Sequence, residues 1–213
     1  MSIVKNDSGR AILLAMVRAI QENREYLSDL DGRVGDGDHG VNMNKGFTMY
    51  AEQLGEDETS FSDGLFDLGS VLLNKIGGSM GPIYGTIFME MSDKADGENE
   101  ITLPLFAEML EAGLEGLYDL VDARVGDKTL VDTFCPAVEA VKKACEEGAD
   151  FVLALDAMQE AAKHGLESTV DLVAKYGRAA RHGEKTRGVA DAGAASCCLI
   201  LCAMAEAMKG LLE

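Results

Sequence analysis

The sequence predicts an all-α fold, an eight-helix antiparallel bundle or barrel, on three observations. Apolar residues recur at helical spacing along nearly the whole chain. No run of alternating, β-branched residues is long enough for a sustained strand. The 24 glycines gather at the junctions between periodic stretches, where a positive φ or a close backbone approach requires them.

The first helix is expected to begin near Ser8, a suitable N-cap. It carries Ile12, Leu13, Met16, Val17, Ile20 and Leu27 along one face and continues to a loop at Asp31. A second follows over about 41–54. A third starts at Ser60, with Asp63 in a capping-box position, and stops at Ile76 before Gly77-Gly78. The fourth spans about 80–92. The fifth starts at Thr102 with Pro104 in its first turn, a placement proline tolerates, and ends near Asp122. A loop over 124–129 leads into a sixth helix through Cys145, and Asp150 caps a seventh expected to reach Lys175. After a long loop over 176–193, the last helix, about 194–212, is small and apolar on nearly all sides, as a central, closely packed helix is. With no Pro/Gly/Ser-rich linker and no internal repeat, residues 1–213 read as one domain.

Composition excludes several classes of function. A chain of 213 residues that is 47% hydrophobic fills a core without staples, and its five cysteines form no C-x-x-C pair and make an odd count. Reduced thiols in a cytoplasmic protein are the expectation. The N-terminal apolar run over 11–17 is ended by Arg18 without a cleavage site, and the uncharged run from Ala192 to Ala205 is too short to span a bilayer. The net charge of −18 argues against nucleic acid and against anionic membranes as partners.

The chemistry concentrates in Asp31-Gly-Arg-Val-Gly-Asp-Gly-Asp-His-Gly40. Gly35, Gly37 and Gly40 satisfy the G-x-G-x-x-G spacing, but a dinucleotide loop needs a preceding strand and here a helix precedes. An EF-hand counted from Asp36 puts Val41 at the required glycine and Phe47 at the required glutamate. What remains is three carboxylates, Asp31, Asp36 and Asp38, that glycines let fold together. Each pair about 4 Å apart repels by roughly 4 kcal/mol at an effective dielectric of 20, a cost that a bound divalent cation reverses. Hard oxygen ligands select Mg²⁺, Ca²⁺ or Mn²⁺, and Mg²⁺ commonly shares its shell with substrate phosphates. His39 then suits donation to a phosphate oxygen, and Asn42 suits another phosphate contact or loop orientation. The alternative is a solvated turn with capping aspartates.

Other loops fit a phosphate site. Gly77-Gly-Ser-Met-Gly-Pro82 stands at a helix N-terminus, which attracts anions, although a glycine C-cap with a tight turn reads the same way. The loops at 126–129 and 177–193 bring basic residues into acidic surroundings. Taken together, Asp31 with GDGDHGVNM over 35–43, GGSMGPIYGT over 77–86, GDKTLVD over 126–132 and GRAARHGEKTRGVADAGA over 177–194 resemble the nucleotide-binding L subunit of dihydroxyacetone kinases. The resemblance extends over essentially the whole chain, in order.

The resemblance implies an eight-helix antiparallel barrel with its site in the loops at one end. Asp31, Asp36 and Asp38 then hold two Mg²⁺ ions that bridge the phosphates of ADP or ATP. His39, Gly40, Val41, Asn42, Ser79 and Met80 line the phosphates, Val121 and Leu130 lie by the adenine, and Arg178 with Asp191, Ala192 and Gly193 closes the site. Catalysis falls to the three aspartates and Arg178. The implied activity is that of a phosphotransferase subunit, a kinase of dihydroxyacetone (glycerone) in glycerol metabolism. The ketose sits on a separate K-type subunit, and this chain forms a homodimer. Two donor routes fit: bound ADP rephosphorylated by a phosphotransferase-system protein, which a freestanding L-type chain favours, or exchanging ATP. A tetrulose kinase subunit and a nucleotide-sensing module that contacts a transcriptional regulator are the alternatives. Met80 where the family often has Ser, Val121-Asp122 for Gly-Lys, and Ala192 for Pro are the departures. His164 and His182 read as surface residues, and Cys197, Cys198 and Cys202 as core packing.

Overall fold

Capping chemistry starts several helices where the sequence places it. Ser60 Oγ accepts from the Asp63 N–H at 3.0 Å, Thr102 Oγ1 from Leu105 at 3.3 Å and Asp150 Oδ1 from Leu153 at 2.9 Å. The structure is a computed structural model describing residues 2–213, so residue 1 of the expected domain lies outside the described residues. Its α-helices are α1 (Gly9–Glu22), α2 (Arg24–Val34), α3 (His39–Leu54), α4 (Phe61–Lys75), α5 (Met80–Lys94), α6 (Leu103–Leu120), α7 (Val131–Glu146), α8 (Phe151–Ser168) and α9 (Ala192–Lys209). Short 3-10 turns occupy Asn6–Ser8, Thr169–Asp171 and Ala179–Thr186. The fold is all-α.

Asp31, expected in a loop, lies in α2, which runs to Val34, and the last helix spans Ala192–Lys209 rather than about 194–212; three further differences have local reasons. The first predicted helix is two, because Asn23 turns its Nδ2 back onto the Ala19 carbonyl at 2.8 Å and leaves helical geometry. Ser8 lies in a 3-10 turn and makes no side-chain cap. The seventh predicted helix, α8, stops at Ser168 rather than Lys175, since Ser168 and Thr169 give their hydroxyls to the Gly165 and Leu166 carbonyls. Two three-residue strands, β1 (Ile3–Lys5) and β2 (Glu100–Thr102), pair antiparallel with Val4 opposite Ile101, too short a pattern to read in advance.

From α4 to α9 each helix packs on the next, and α1 closes the series by lying against α9 on one side and α3 and α4 on the other. One apolar cluster runs through all of them. In that cluster α9 is the shared partner of α1, α2, α7 and α8, with Cys197 and Cys198 buried and Cys202 partly so. It is long and apolar enough by composition to cross a membrane, yet 56% of it is buried inside the protein, as for a core helix. The α4–α5 pair is held at contact distance by glycines: a Cβ on Gly69 would lie 2.9 Å from the Gly85 carbonyl, and one on Gly85 3.0 Å from that of Gly69. This packing brings the N-termini of α3, α5, α7 and α9 to one cavity.

Candidate functional site

The acidic loop joins the C-terminus of α2 to the start of α3, and its glycines do separate jobs. A Cβ on Gly35 would stand 2.3 Å from Asp31 Oδ1, so that position yields its space to a carboxylate. Gly37 takes φ +76°, the left-handed turn that points Asp36 and Asp38 the same way. As a result Asp31, Asp36 and Asp38 offer carboxylate oxygens that all lie within 4.8 Å of one another. The His39 N–H donates to Asp31 Oδ2 at 3.3 Å. Desolvation, followed by repulsion from Asp31, raises the Asp38 carboxyl above its usual range, against a hydrogen bond from Asn42. The Arg178 guanidinium reaches both Asp36 and, at 3.3 Å, Asp38. Three converging, partly exposed carboxylates fit a hard divalent cation such as Mg²⁺.

Behind the carboxylates lies a cavity of about 320 Å³, within the range that holds small ligands. Four helices present their first residues to it: His39 on α3, Ser79 and Met80 on α5, Leu130 and Val131 on α7, and Asp191, Ala192 and Gly193 on α9. The first N–H groups of a helix lack intrahelical partners and carry its positive dipole end; at α3 and α9 the Asp31 and Asp191 carboxylates take one each, which leaves the uncapped start of α5 best suited to an anion in a chain of net charge −18. Ile83, Val121, Ala123 and Leu130 supply an apolar stretch, and Tyr176 to Ala179 form a rim. The loop before α7 is folded by Asp132, whose two oxygens accept the Gly126 and Thr129 N–H groups at 2.6 and 2.8 Å.

A buried polar chain ties three of these helices together. Nε2 of His39 lies 2.8 Å from Ser196 Oγ, which lies 2.7 Å from Tyr84 Oη, and that hydroxyl donates to the Gly193 carbonyl at 3.2 Å. The imidazole is 8% exposed, and burial pushes its pKa down to about 4, so it is neutral at pH 7. An expected result follows. An unfolded histidine titrates near 6.5, so the unfolded chain takes up a proton between pH 6.5 and about 4 that the folded one refuses. Stability therefore falls on acidification through that window by about 3 kcal/mol. Asp191, pushed up to about 6 chiefly by burial, acts oppositely over much of the same range. Urea unfolding of wild type and His39→Gln at pH 7 and 4.5, without metal, isolates the histidine: the variant loses less stability on acidification.

The DAK2 domain family model matches residues 33–206. The chain belongs to the DAK2 domain family. It is 35% identical over 201 residues to the "PEP-dependent dihydroxyacetone kinase 2, ADP-binding subunit DhaL" of Listeria innocua, covering 93% of each chain. It is 34% identical over 188 residues to the "PEP-dependent dihydroxyacetone kinase, ADP-binding subunit DhaL" of Escherichia coli, covering 87% of this chain and 89% of that one. Its fold matches the crystal structure of the dihydroxyacetone kinase of C. freundii with a TM-score of 0.71 and 25% identity, over 92% of this chain and 33% of that one. The chain thus spans about a third of that structure's chain.

Within this DAK2 domain the structure brings most of the expected site residues to one place. Asp31, Asp36, Asp38, His39, Ser79, Met80, Val121, Leu130, Arg178, Asp191, Ala192 and Gly193 all line the cavity. Gly40, Val41 and Asn42 stand outside that lining. Gly40 seats α3 on α2, where a Cβ would lie 2.1 Å from the Arg24 carbonyl; Val41 is 44% exposed; Asn42 bonds to Asp38. Tyr84, Lys128, Thr129, Tyr176 and Ser196, which line the cavity or brace it, were not among the expected site residues, although the loop at 126–129 was expected to bring in its basic residue. Tyr84, Lys128 and Thr129 lie inside quoted motifs; Ser196 carried no signal, since it sits among core residues of α9.

Proposed function

We propose that this DAK2 domain is the nucleotide-binding subunit of a dihydroxyacetone kinase. It binds ADP or ATP through Mg²⁺ at Asp31, Asp36 and Asp38, and passes a phosphoryl group to a ketose held on a separate K-type subunit. The observation that carries this is the convergence of three carboxylates at a cavity walled by four helix N-termini. The names of the Listeria and Escherichia relatives, both ADP-binding subunits of PEP-dependent dihydroxyacetone kinases, support the substrate, and that of a Lactococcus lactis relative, the ADP-binding subunit of a PTS-dependent one, supports a phosphotransferase-system protein as phosphoryl donor. Two ions, a homodimer and action of residues 1–213 as one nucleotide-binding domain belong to the same proposal; the continuous core supports the last.

The chemistry asks for positioning and charge neutralisation more than for a covalent step by the protein. Bound divalent metal would supply that neutralisation between the phosphate oxygens. The chain's own residues do the rest. Main-chain N–H groups at the start of α5 are placed to donate to a phosphate, the Ala194 N–H of α9 being taken by Asp191, and His39, neutral and held by Ser196, keeps the first turn of α3 in register with α9. Ile83, Val121, Ala123 and Leu130 form the apolar wall for the base and exclude water there. Arg178, whose side chain is half exposed at the rim, carries a charge that can follow the transferring group.

Thermal unfolding tests this directly. ADP with Mg²⁺ at a hundred times its Kd adds about 2.7 kcal/mol, which raises Tm by about 5–10 °C for a chain of this size, whereas ADP with EDTA does not. An unchanged Tm with Mg²⁺-ADP and with Mg²⁺-ATP overturns the nucleotide reading. Adding a K-type subunit, dihydroxyacetone and either ATP or a phosphotransferase donor protein then decides the donor.

A further inference from the structure

Lys128 occupies a place where a lysine costs the fold twice. Its φ of 61° lies in the left-handed region, and among the described residues no other non-glycine residue has a positive φ. Its side chain is 1% exposed, and burying an ammonium is expensive unless it is well bonded. Burial lowers its pKa, opposed at longer range by the Asp191 and Asp132 carboxylates. The bonds it does make are to main chain: Nζ donates to the Thr169 carbonyl and, at 2.5 Å, to that of Val189.

Those two carbonyls belong to the two ends of one excursion. The chain leaves α8 at Thr169, runs out through the rim at Tyr176–Ala179, and returns past Val189 to the start of α9. Thr169 then passes the constraint on, its Oγ1 accepting the Asp191 N–H at 3.0 Å, and Asp191 Oδ2 accepts the Ala194 N–H at 2.8 Å to cap α9. Gly188 adds a bond from its N–H to the Val170 carbonyl at 2.7 Å.

We infer that Lys128 is a positioning residue, a buried ammonium clamp that draws the 169 and 189 ends together and thereby fixes Asp191–Gly193 at the cavity. The clamp is read from the hydrogen bonds alone; its effect on ligand rests on the nucleotide-binding reading above. The lysine in the motif before α7 thus acts through α9 and makes no demand on direct ligand contact. Its loss weakens nucleotide binding while leaving the rate at saturation in place.

Hydrogen exchange on the ligand-free protein and Mg²⁺-ADP titration, applied to Lys128→Met and Thr169→Val, test this. In Lys128→Met the amides of 169–171 and 188–195 exchange at least about tenfold faster, while those of α4–α6 keep wild-type protection. Its Kd for Mg²⁺-ADP and its KM for nucleotide rise about tenfold or more, with kcat within about threefold. Thr169→Val, which keeps the lysine but removes the acceptor of the Asp191 N–H, moves Kd in the same direction, and the double variant is less impaired than the product of the single effects. If Lys128→Met does not fold, Thr169→Val carries the same two measurements. Wild-type protection over 188–195 together with an unchanged Kd, in Lys128→Met or in Thr169→Val, overturns the clamp. A wild type that binds no Mg²⁺-ADP overturns the nucleotide reading instead, and the exchange data still decide the clamp.

Discussion

Asp38→Ala eliminates Mg²⁺-dependent nucleotide binding: titrating the variant with ADP in Mg²⁺ gives no saturable heat at concentrations that saturate wild type. The carboxylate oxygens of Asp31, Asp36 and Asp38 lie within 4.8 Å of one another, so each contributes to the field at a single point. Removing one unit charge about 4 Å from a divalent cation forfeits roughly 8 kcal/mol at an effective dielectric of 20, far more than a thousandfold in affinity. Asp38 is partly exposed at the start of α3 and makes no side-chain cap there. The metal-free Tm of the variant therefore stays within about 2 °C of wild type, as for a surface substitution. Full retention of Mg²⁺-ADP affinity in Asp38→Ala removes the metal from the argument.

Arg178→Ala lowers kcat by about a hundred- to a thousandfold in the assay with the K-type subunit, the size of effect seen when one preorganised donor to a developing charge is lost. Binding of Mg²⁺-ADP changes little. The contrast follows from location: Arg178 stands on the exposed rim, 52% exposed, next to a 3-10 turn, and contributes nothing to the core. Its reach to Asp36 and Asp38 puts its charge at the place where the cation's shell and the phosphoryl group meet. Arg178→Lys recovers part of the rate only, because an ammonium is a point charge without the planar fork. A kcat equal to wild type in Arg178→Ala makes the residue a surface charge.

Much of the fold was legible because local chemistry and periodicity agreed. Ser60, Thr102 and Asp150 cap helices where they were expected to, and Gly77-Gly78 separates α4 from α5. What escaped was decided by side chains competing with the backbone. Ile20 and Leu27 lie seven apart, so the apolar face passes unbroken through Asn23 and hides the break that its amide makes. The acidic loop was legible for the opposite reason: like charges between glycines are so costly that only a ligand or full solvation explains them. The roles of Lys128 and Ser196 were not, because their partners lie 41 to 157 residues away and only the tertiary fold brings them into reach.

The four helix N-termini have a consequence for how this site can drift in evolution. A main-chain N–H survives every substitution except one to proline, so a wall built from such donors is insensitive to which side chain stands there. Met80, at the start of α5, keeps its main-chain donor at the cavity whatever side chain stands there. Mutational tolerance is therefore uneven across the cavity: high along the backbone-lined side, and low at the three aspartates, whose charge no neighbouring atom can replace.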